Sequence, residues 1–217
     1  MGRATVADTV YQNLRRALIV GRFEPGQMMT IAALAEMFQT SQMPVREALR
    51  RLGAEGALES RPNGSSYVPK VSRARLDDIC RARIALETMA TELAVEHISD
   101  TEIDALVRLE ADHTATTGRQ DVYQMLQKNR DFHFAIYNAA RSDVLPALID
   151  SLWLRYGPYM RVLSEEVERD MREHEPFLRG HKAIVEAIIA RDKARATAEL
   201  KKDIMSTQAL LQDLYPD

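Results

Sequence analysis

The sequence predicts a mostly α-helical protein in two parts: a small N-terminal module that ends in a β-hairpin, followed by an antiparallel bundle of about six helices. Three observations carry that prediction. Apolar residues recur at helical spacing along nearly the whole chain. Aromatic residues make up only 6% and the 217 residues include just nine glycines and eight prolines, a balance that favours helices over sheets. Charge changes sign near residue 72: residues 1–72 hold nine Lys/Arg against six Asp/Glu, a net +3, while the remainder carries −6. A basic module joined to a larger acidic one implies that only the first approaches an anionic polymer. Hydrophobic residues at 46% and charged residues at 28% exclude a disordered or low-complexity chain. No apolar run is long enough for a membrane span and no secretory leader pattern opens the chain, so the expected location is the cytoplasm, with no membrane partner. Cys80 is the single cysteine, which rules out an internal disulfide and a thiolate-rich zinc site.

Val6, Val10, Leu14, Ala17 and Leu18 predict a first helix over about 6–20, stopped by Gly21 and Pro25-Gly26. Thr30 can cap a short helix bearing Ile31, Leu34, Ala35 and Phe38. After Gln39-Thr40, Ser41 can cap another that runs to about Ala54, with Pro44 tolerated in its first turn. Leu58-Glu59-Ser60-Arg61 and Ser66-Tyr67-Val68 flank Pro62-Asn63-Gly64-Ser65, a hairpin signal that reads as a β-wing. Domain one is therefore residues 1–72, a winged helix-turn-helix, and residues 73–217 form the helical domain. Its helices are placed at about 73–97, 100–117 (capping box Ser99/Glu102), 121–140, 143–164 (kinked at Gly157-Pro158), 175–190 (opened by Pro176) and 193–214.

On the helix that begins near Ser41, Val45, Ala48, Leu49 and Leu52 share one face, and Gln42, Arg46 and Arg50 form a stripe at i, i+4, i+8. Arginine makes bidentate hydrogen bonds to guanine, and an amide such as Gln42 can pair with adenine, so the stripe has major-groove chemistry. Asn63, Gly64 and Ser65 at the wing tip would let the backbone approach DNA closely. The competing explanation is a solvated helix whose arginines pair with Glu47 and Glu55.

The order of motifs resembles the winged helix-turn-helix of GntR-family transcriptional regulators: Gly21-Arg22-Phe23-Glu24-Pro25-Gly26, Leu34-Ala35-Glu36, Ser41 through Leu52 with Pro44-Val45-Arg46-Glu47-Ala48-Leu49, Glu55-Gly56 and Pro62-Asn63-Gly64. The resemblance implies that Arg46 and Arg50 take the DNA-reading positions with the wing near Gly64; with the helix stripe and the wing tip, the expected DNA-binding set is Ser41, Gln42, Arg46, Arg50, Asn63, Gly64 and Ser65. Gln42 stands where many members have Arg, and Gly64 directly follows Asn63 where an Arg often intervenes, so no operator sequence carries over.

In the helical domain Asn129 and His133 lie one turn apart, flanked by Phe132 and Phe134; His181 opens Ala183-Ile184-Val185, and Asp203 sits amid Leu200, Ile204 and Met205. Such a set can bind a borderline divalent cation with positions left for a ligand carboxylate, or its histidines can hydrogen-bond within a core. Arg83 through Glu87, Phe132-His133 with Ala139-Ala140, and His181 through Val185 with Asp192 resemble the FadR-type C-terminal effector domain in its six-helix variant. Metal-binding members usually have Asp where Asn129 stands and His where Asp203 stands. The resemblance implies one divalent metal, zinc or nickel, on Asn129, His133, His181 and Asp203, and a carboxylate effector bound by those residues and Arg83. Arg83 has an alternative use, an i, i+4 ion pair with Glu87. His97, His113 and His174 read as solvated, and Trp153, Tyr156 and Tyr159 as core or subunit contact.

The function expected is a ligand-responsive, DNA-binding transcriptional regulator, a repressor, acting as a homodimer on a double-stranded operator with an inverted repeat. The competing class is a metal-dependent enzyme built on His133, His181 and Asp203, for which no general base or nucleophile is apparent nearby.

Overall fold

A capping box that periodicity alone does not reveal starts the first helix, α1 (Val6–Ile19). Thr5 Oγ1 accepts from the Asp8 amide and Asp8 Oδ2 accepts from the Thr5 amide, each at 3.1 Å. The helix ends where Gly21 turns left-handed, φ +71°, and the Arg22 amide reaches back to the Ala17 carbonyl at 2.9 Å. The computed structural model describes residues 5–61, 65–116, 121–169 and 181–214. It divides into two compact units, one of residues up to 71 with 153–162, the other of residues 72–152 with those from 163 onward.

In the first unit, α2 (Ile31–Met37) and α3 (Gln42–Ala54) follow α1, joined by a tight turn in which Gln39 takes φ +50°. Val45, Ala48, Leu49 and Leu52 bury their face of α3 while Val10, Leu14 and Leu18 bury theirs on α1. Thr30 and Ser41 stand at the N-cap positions, but neither side chain makes the expected capping bond. For Ser41 the cause lies in the sequence: the N3 position is Pro44, which has no N–H to offer.

The wing contains one strand more than the hairpin pattern predicts. β2 (Glu59–Ser60) and β3 (Ser66–Tyr67) pair antiparallel as expected, and β1 (Met28–Met29) adds to the far side of β3, with Met28 opposite Tyr67 and Met29 opposite Ser66. The Arg61 amide donates to the Ser65 carbonyl at 3.0 Å, closing the base of the hairpin, whose tip at Asn63 and Gly64 lies outside the described residues.

The second unit opens with α4 (Arg73–His97), whose first turn is capped by Ser72, and α5 (Asp100–Thr116), started by the Ser99/Glu102 capping box. Then come α6 (Val122–Ala139), α7 (Leu145–Arg169), α8 (His181–Ile189) and α9 (Lys193–Leu214). The predicted opening at Pro176 falls outside the described residues. α7 continues through Gly157 and Pro158 to Arg169, past the predicted end at 164. Its middle, 153–162, belongs to the first unit although the sequence assigns it to the helical domain. There a Cβ on Gly157 would stand 2.1 Å from the Leu18 carbonyl oxygen, and one on Gly21 would stand 2.3 Å from the Arg161 amide nitrogen. Trp153, Tyr156 and Tyr159 are buried there. Among the described residues no helix is long and apolar enough to cross a membrane.

Candidate functional site

α3 presents a polar face opposite its buried one. Ser41, Gln42, Arg46 and Arg50 are all exposed, Ser65 is half-buried, and Arg46, Arg50, Ser65 and Ser66 line a groove of about 640 Å³ between α3 and the wing strands. The two arginines differ. Arg50 is forked onto Glu47, with Nε to Oε2 at 3.0 Å and a terminal nitrogen to Oε1 at 2.8 Å. Arg46 makes no hydrogen bond or ion pair among the described residues, so its fork is open to an incoming base. Glu55 is taken instead by Tyr11 at 2.5 Å and Arg15 at 3.4 Å. The stripe missed one residue. At about 100° per residue, Met43 falls within the same outward arc as Gln42, Arg46 and Arg50, and it is 69% exposed. Its apolar character hid it from a search for polar contacts, although a thioether suits the thymine methyl.

The second unit contains a buried chain of polar groups. Arg83 (4% exposed) donates to Glu87 (0%) at 2.7 and 3.4 Å, so the i, i+4 pair expected as an alternative is present, and it lies in the interior. Tyr137 Oη donates to Glu87 Oε2 at 2.5 Å and stands 3.2 Å from His133 Nδ1. His133 Nε2 lies 3.4 Å from Asp203 Oδ2. Burial and the charge of Glu87 hold the Tyr137 phenol well above its ordinary pKa, so it keeps its one proton. With that proton given to Glu87, Tyr137 accepts from His133 Nδ1–H. This tautomer follows from proton accounting. His133 Nε2 in turn faces the Asp203 carboxylate, and a proton or a cation between them joins the two groups.

His181 completes a convergent set: one donor atom each from His133, His181 and Asp203 lie within 4.8 Å of one another. The His181 ring is stacked on Phe132 at 4.2 Å and meets His133 edge-on at 4.8 Å. Burial, then the neighbouring His133, holds His181 well below the ordinary imidazole pKa, in its ligand-competent neutral form. Burial pushes Asp203 up, but the His133 hydrogen bond, with the charge of Arg83 behind it, outweighs it and keeps the carboxyl ionised. The donor chemistry fits a borderline divalent cation: imidazole nitrogens and an ionised carboxylate. Asn129 is half-buried one turn before His133 and is the remaining member of the predicted set.

One expectation is overturned. His113, read as solvated from its place near a helix end among charges, is 2% exposed, and its ring lies 4.5 Å from that of His181. α5 packs against α6 and α8, which turns this position inward. His97 is exposed as expected, and His174 lies outside the described residues. The Nδ1 atoms of His113 and His181 and the Thr91 hydroxyl are buried without a hydrogen-bond partner among the described residues, each a cost of about 1–3 kcal/mol. Burial, then the charge of His133, lowers His113 to about 4. The unfolded chain titrates near 6.5, so this group's contribution to stability is complete above that pH and is lost as pH falls toward 4. Urea unfolding of the metal-free protein should show about 2 kcal/mol less stability from this group at pH 5 than at pH 7, and His113→Phe should flatten that dependence. Parallel profiles for the two proteins would contradict the assignment.

Residues 6–68 match the family described as bacterial regulatory proteins, gntR family, and residues 78–205 match the FCD domain. The HTH-type transcriptional regulator McbR of Escherichia coli K12 is 32% identical over 216 residues, covering 99% of this chain and 96% of that protein. The HTH-type transcriptional repressor GlaR of the same organism is 28% identical, covering 93% and 94%. The solved structure of E. coli McbR/YncC superposes with a TM-score of 0.92 at 30% identity over 98% of this chain and 99% of that one. A GntR regulator from Rhodococcus sp. RHA1 shares the fold at 19% identity with a TM-score of 0.79. With a winged reading head that matches along its length, a helical domain that matches the effector-binding FCD domain and relatives named as regulators, the chain belongs to the GntR family of DNA-binding transcriptional regulators, which are not enzymes.

Proposed function

We propose that this regulator is a repressor that binds an inverted-repeat operator as a homodimer and is controlled by a small organic acid held in the FCD domain on a divalent metal. The observation that carries the effector-domain part is the convergence of His133 Nε2 and Asp203 Oδ2, 3.4 Å apart, with the buried imidazole of His181, one donor atom each within 4.8 Å of one another. A zinc or nickel ion on His133, His181 and Asp203, with Asn129 as a further oxygen donor, would take the place of the proton between His133 and Asp203 and leave positions for a carboxylate. Arg83, locked on Glu87, serves this site by fixing Glu87, Tyr137 and thereby the tautomer of His133. The relatives named as repressors, GlaR among them, support the sign of regulation. For the DNA part, the support is the exposed arc of Gln42, Met43, Arg46 and Arg50 on α3. Two-fold symmetry would present two such helices to symmetry-related half-sites.

Coupling is reciprocal: an acid that weakens operator binding must itself bind less tightly to the DNA complex. Thermal unfolding of the chelator-treated full chain tests the site. Saturating zinc or nickel, at about 100-fold over Kd, adds about 2.7 kcal/mol to stability, which raises Tm by roughly 5–10 °C for a chain of this size. His133→Ala and His181→Ala remove that rise while sparing operator binding in the absence of effector. A carboxylic acid that stabilises the chelated protein as well as the loaded one would mean that the histidines bind the anion themselves. Two histidine variants with a full effector response would show that the site lies elsewhere.

A further inference from the structure

Three imidazoles meet in the FCD domain, although the sequence pattern marks two. His113 comes from α5, a helix that supplies none of the effector or metal residues expected from the sequence. Its ring adjoins His181 at 4.5 Å, and His181 in turn adjoins His133 at 4.8 Å, so the three rings form a continuous row from α5 through α8 to α6. The end of that row meets the Asp203 carboxylate of α9. His113 and His181 are 2% and 3% exposed, and the Nδ1 atom of each is buried with no hydrogen-bond partner among the described residues. Folded proteins seldom leave such nitrogens unsatisfied. Two orphans on adjoining rings, next to an ionised carboxylate, are satisfied together by one cation.

We propose that His113 is a ligand of the same cation as His133, His181 and Asp203, so that the centre draws three imidazoles and one carboxylate from four helices. The proposal rests on the reading that the FCD domain holds a divalent metal. His113 stands outside the set whose donor atoms lie within 4.8 Å, but no hydrogen bond holds its ring in place, so its turn toward the ion breaks none. A third imidazole makes the site nitrogen-rich. That selects zinc, nickel or cobalt over magnesium and manganese, which prefer all-oxygen surroundings. It also ties α5 to the ion, so that metal binding organises a helix that the other ligands do not reach.

Cobalt(II), added to the chelator-treated full chain, serves as the probe. In the loaded wild-type protein each ligating imidazole retains one N–H, and the proton NMR spectrum should show three hyperfine-shifted resonances that disappear on exchange into D2O. His113→Phe keeps an aromatic ring against His181 and removes the nitrogens. It should lower cobalt and zinc affinity at least about tenfold, with a third of the shifted N–H set lost and the metal-free melting profile still cooperative. Two shifted resonances in the wild-type protein would overturn the proposal, as would a His113→Phe affinity within about twofold of wild type while His133→Ala and His181→Ala abolish binding. If wild type takes up no cobalt, or if His133→Ala and His181→Ala bind it unchanged, the metal reading falls and this proposal with it. Should His113→Phe fail to fold, the resonance count on the unaltered protein decides.

Discussion

Arg46→Ala is expected to weaken binding to the specific operator by about 1–3 kcal/mol, roughly 5- to 150-fold, while binding to random duplex DNA changes little. The reason is the different occupation of the two arginines on α3. Arg46 is exposed and makes no hydrogen bond or ion pair among the described residues, so its bidentate capacity is available to a guanine edge. Arg50 must first leave Glu47, on which it is forked at 2.8 and 3.0 Å, and that exchange offsets part of what it gains from DNA. Arg50→Ala should therefore cost less than Arg46→Ala on the same site. Competition binding at fixed salt, with specific and random duplexes, separates the two cases. An equal loss on both duplexes would make Arg46 a phosphate contact, and the salt dependence of its loss would then show one fewer counterion released.

Gly157→Ala should destabilise the first unit by about 3 kcal/mol or more, and with it abolish operator binding at growth temperature. In an ordinary helix this exchange would gain nearly 1 kcal/mol of helix propensity. Here a Cβ would stand 2.1 Å from the Leu18 carbonyl oxygen and 2.8 Å from its carbon, and both obstacles are backbone. α1 and α7 cannot separate locally, because Gly21 and the Arg161 amide make a second close approach a turn away. A chemical unfolding curve that leaves the variant within about 0.5 kcal/mol of wild type would mean that the two helices slide without cost.

The extent to which this was legible depended on whether the information was local. The helix starts at Thr5, Ser72 and Ser99 are fixed by side chains within three residues, and the one the sequence names, the Ser99/Glu102 capping box, is found where it is placed. β1 is two residues long, Met28–Met29, with neither alternation nor a turn signature, and exists because β3 offers it a partner. In α4, of the apolar residues at helical spacing, Ile79 and Ala90 are buried while Ile84, Leu86 and Leu93 are only half-buried, and the buried stripe also takes in Arg83, Glu87 and Thr91. A charged pair inside that stripe is what apolar periodicity does not show, and burial changes its energetics. The pair would contribute about 0.3–0.5 kcal/mol on a surface, whereas removal of one buried partner costs about 3–5 kcal/mol. His133, His181 and Asp203 were legible as a set through motif order. His113 was not, because its neighbours in sequence are polar and only the packing of α5 on α6 and α8 turns it inward.

The most direct test of the central claim is a selection of genomic DNA fragments by the purified full chain at fixed ionic strength, run with wild type and with Arg46→Ala. A sequence-reading regulator of this design enriches a short inverted repeat, and Arg46→Ala loses discrimination at one base pair of each half-site. If wild type enriches no sequence over the genomic background, the α3 face is not a reading head and the account is wrong.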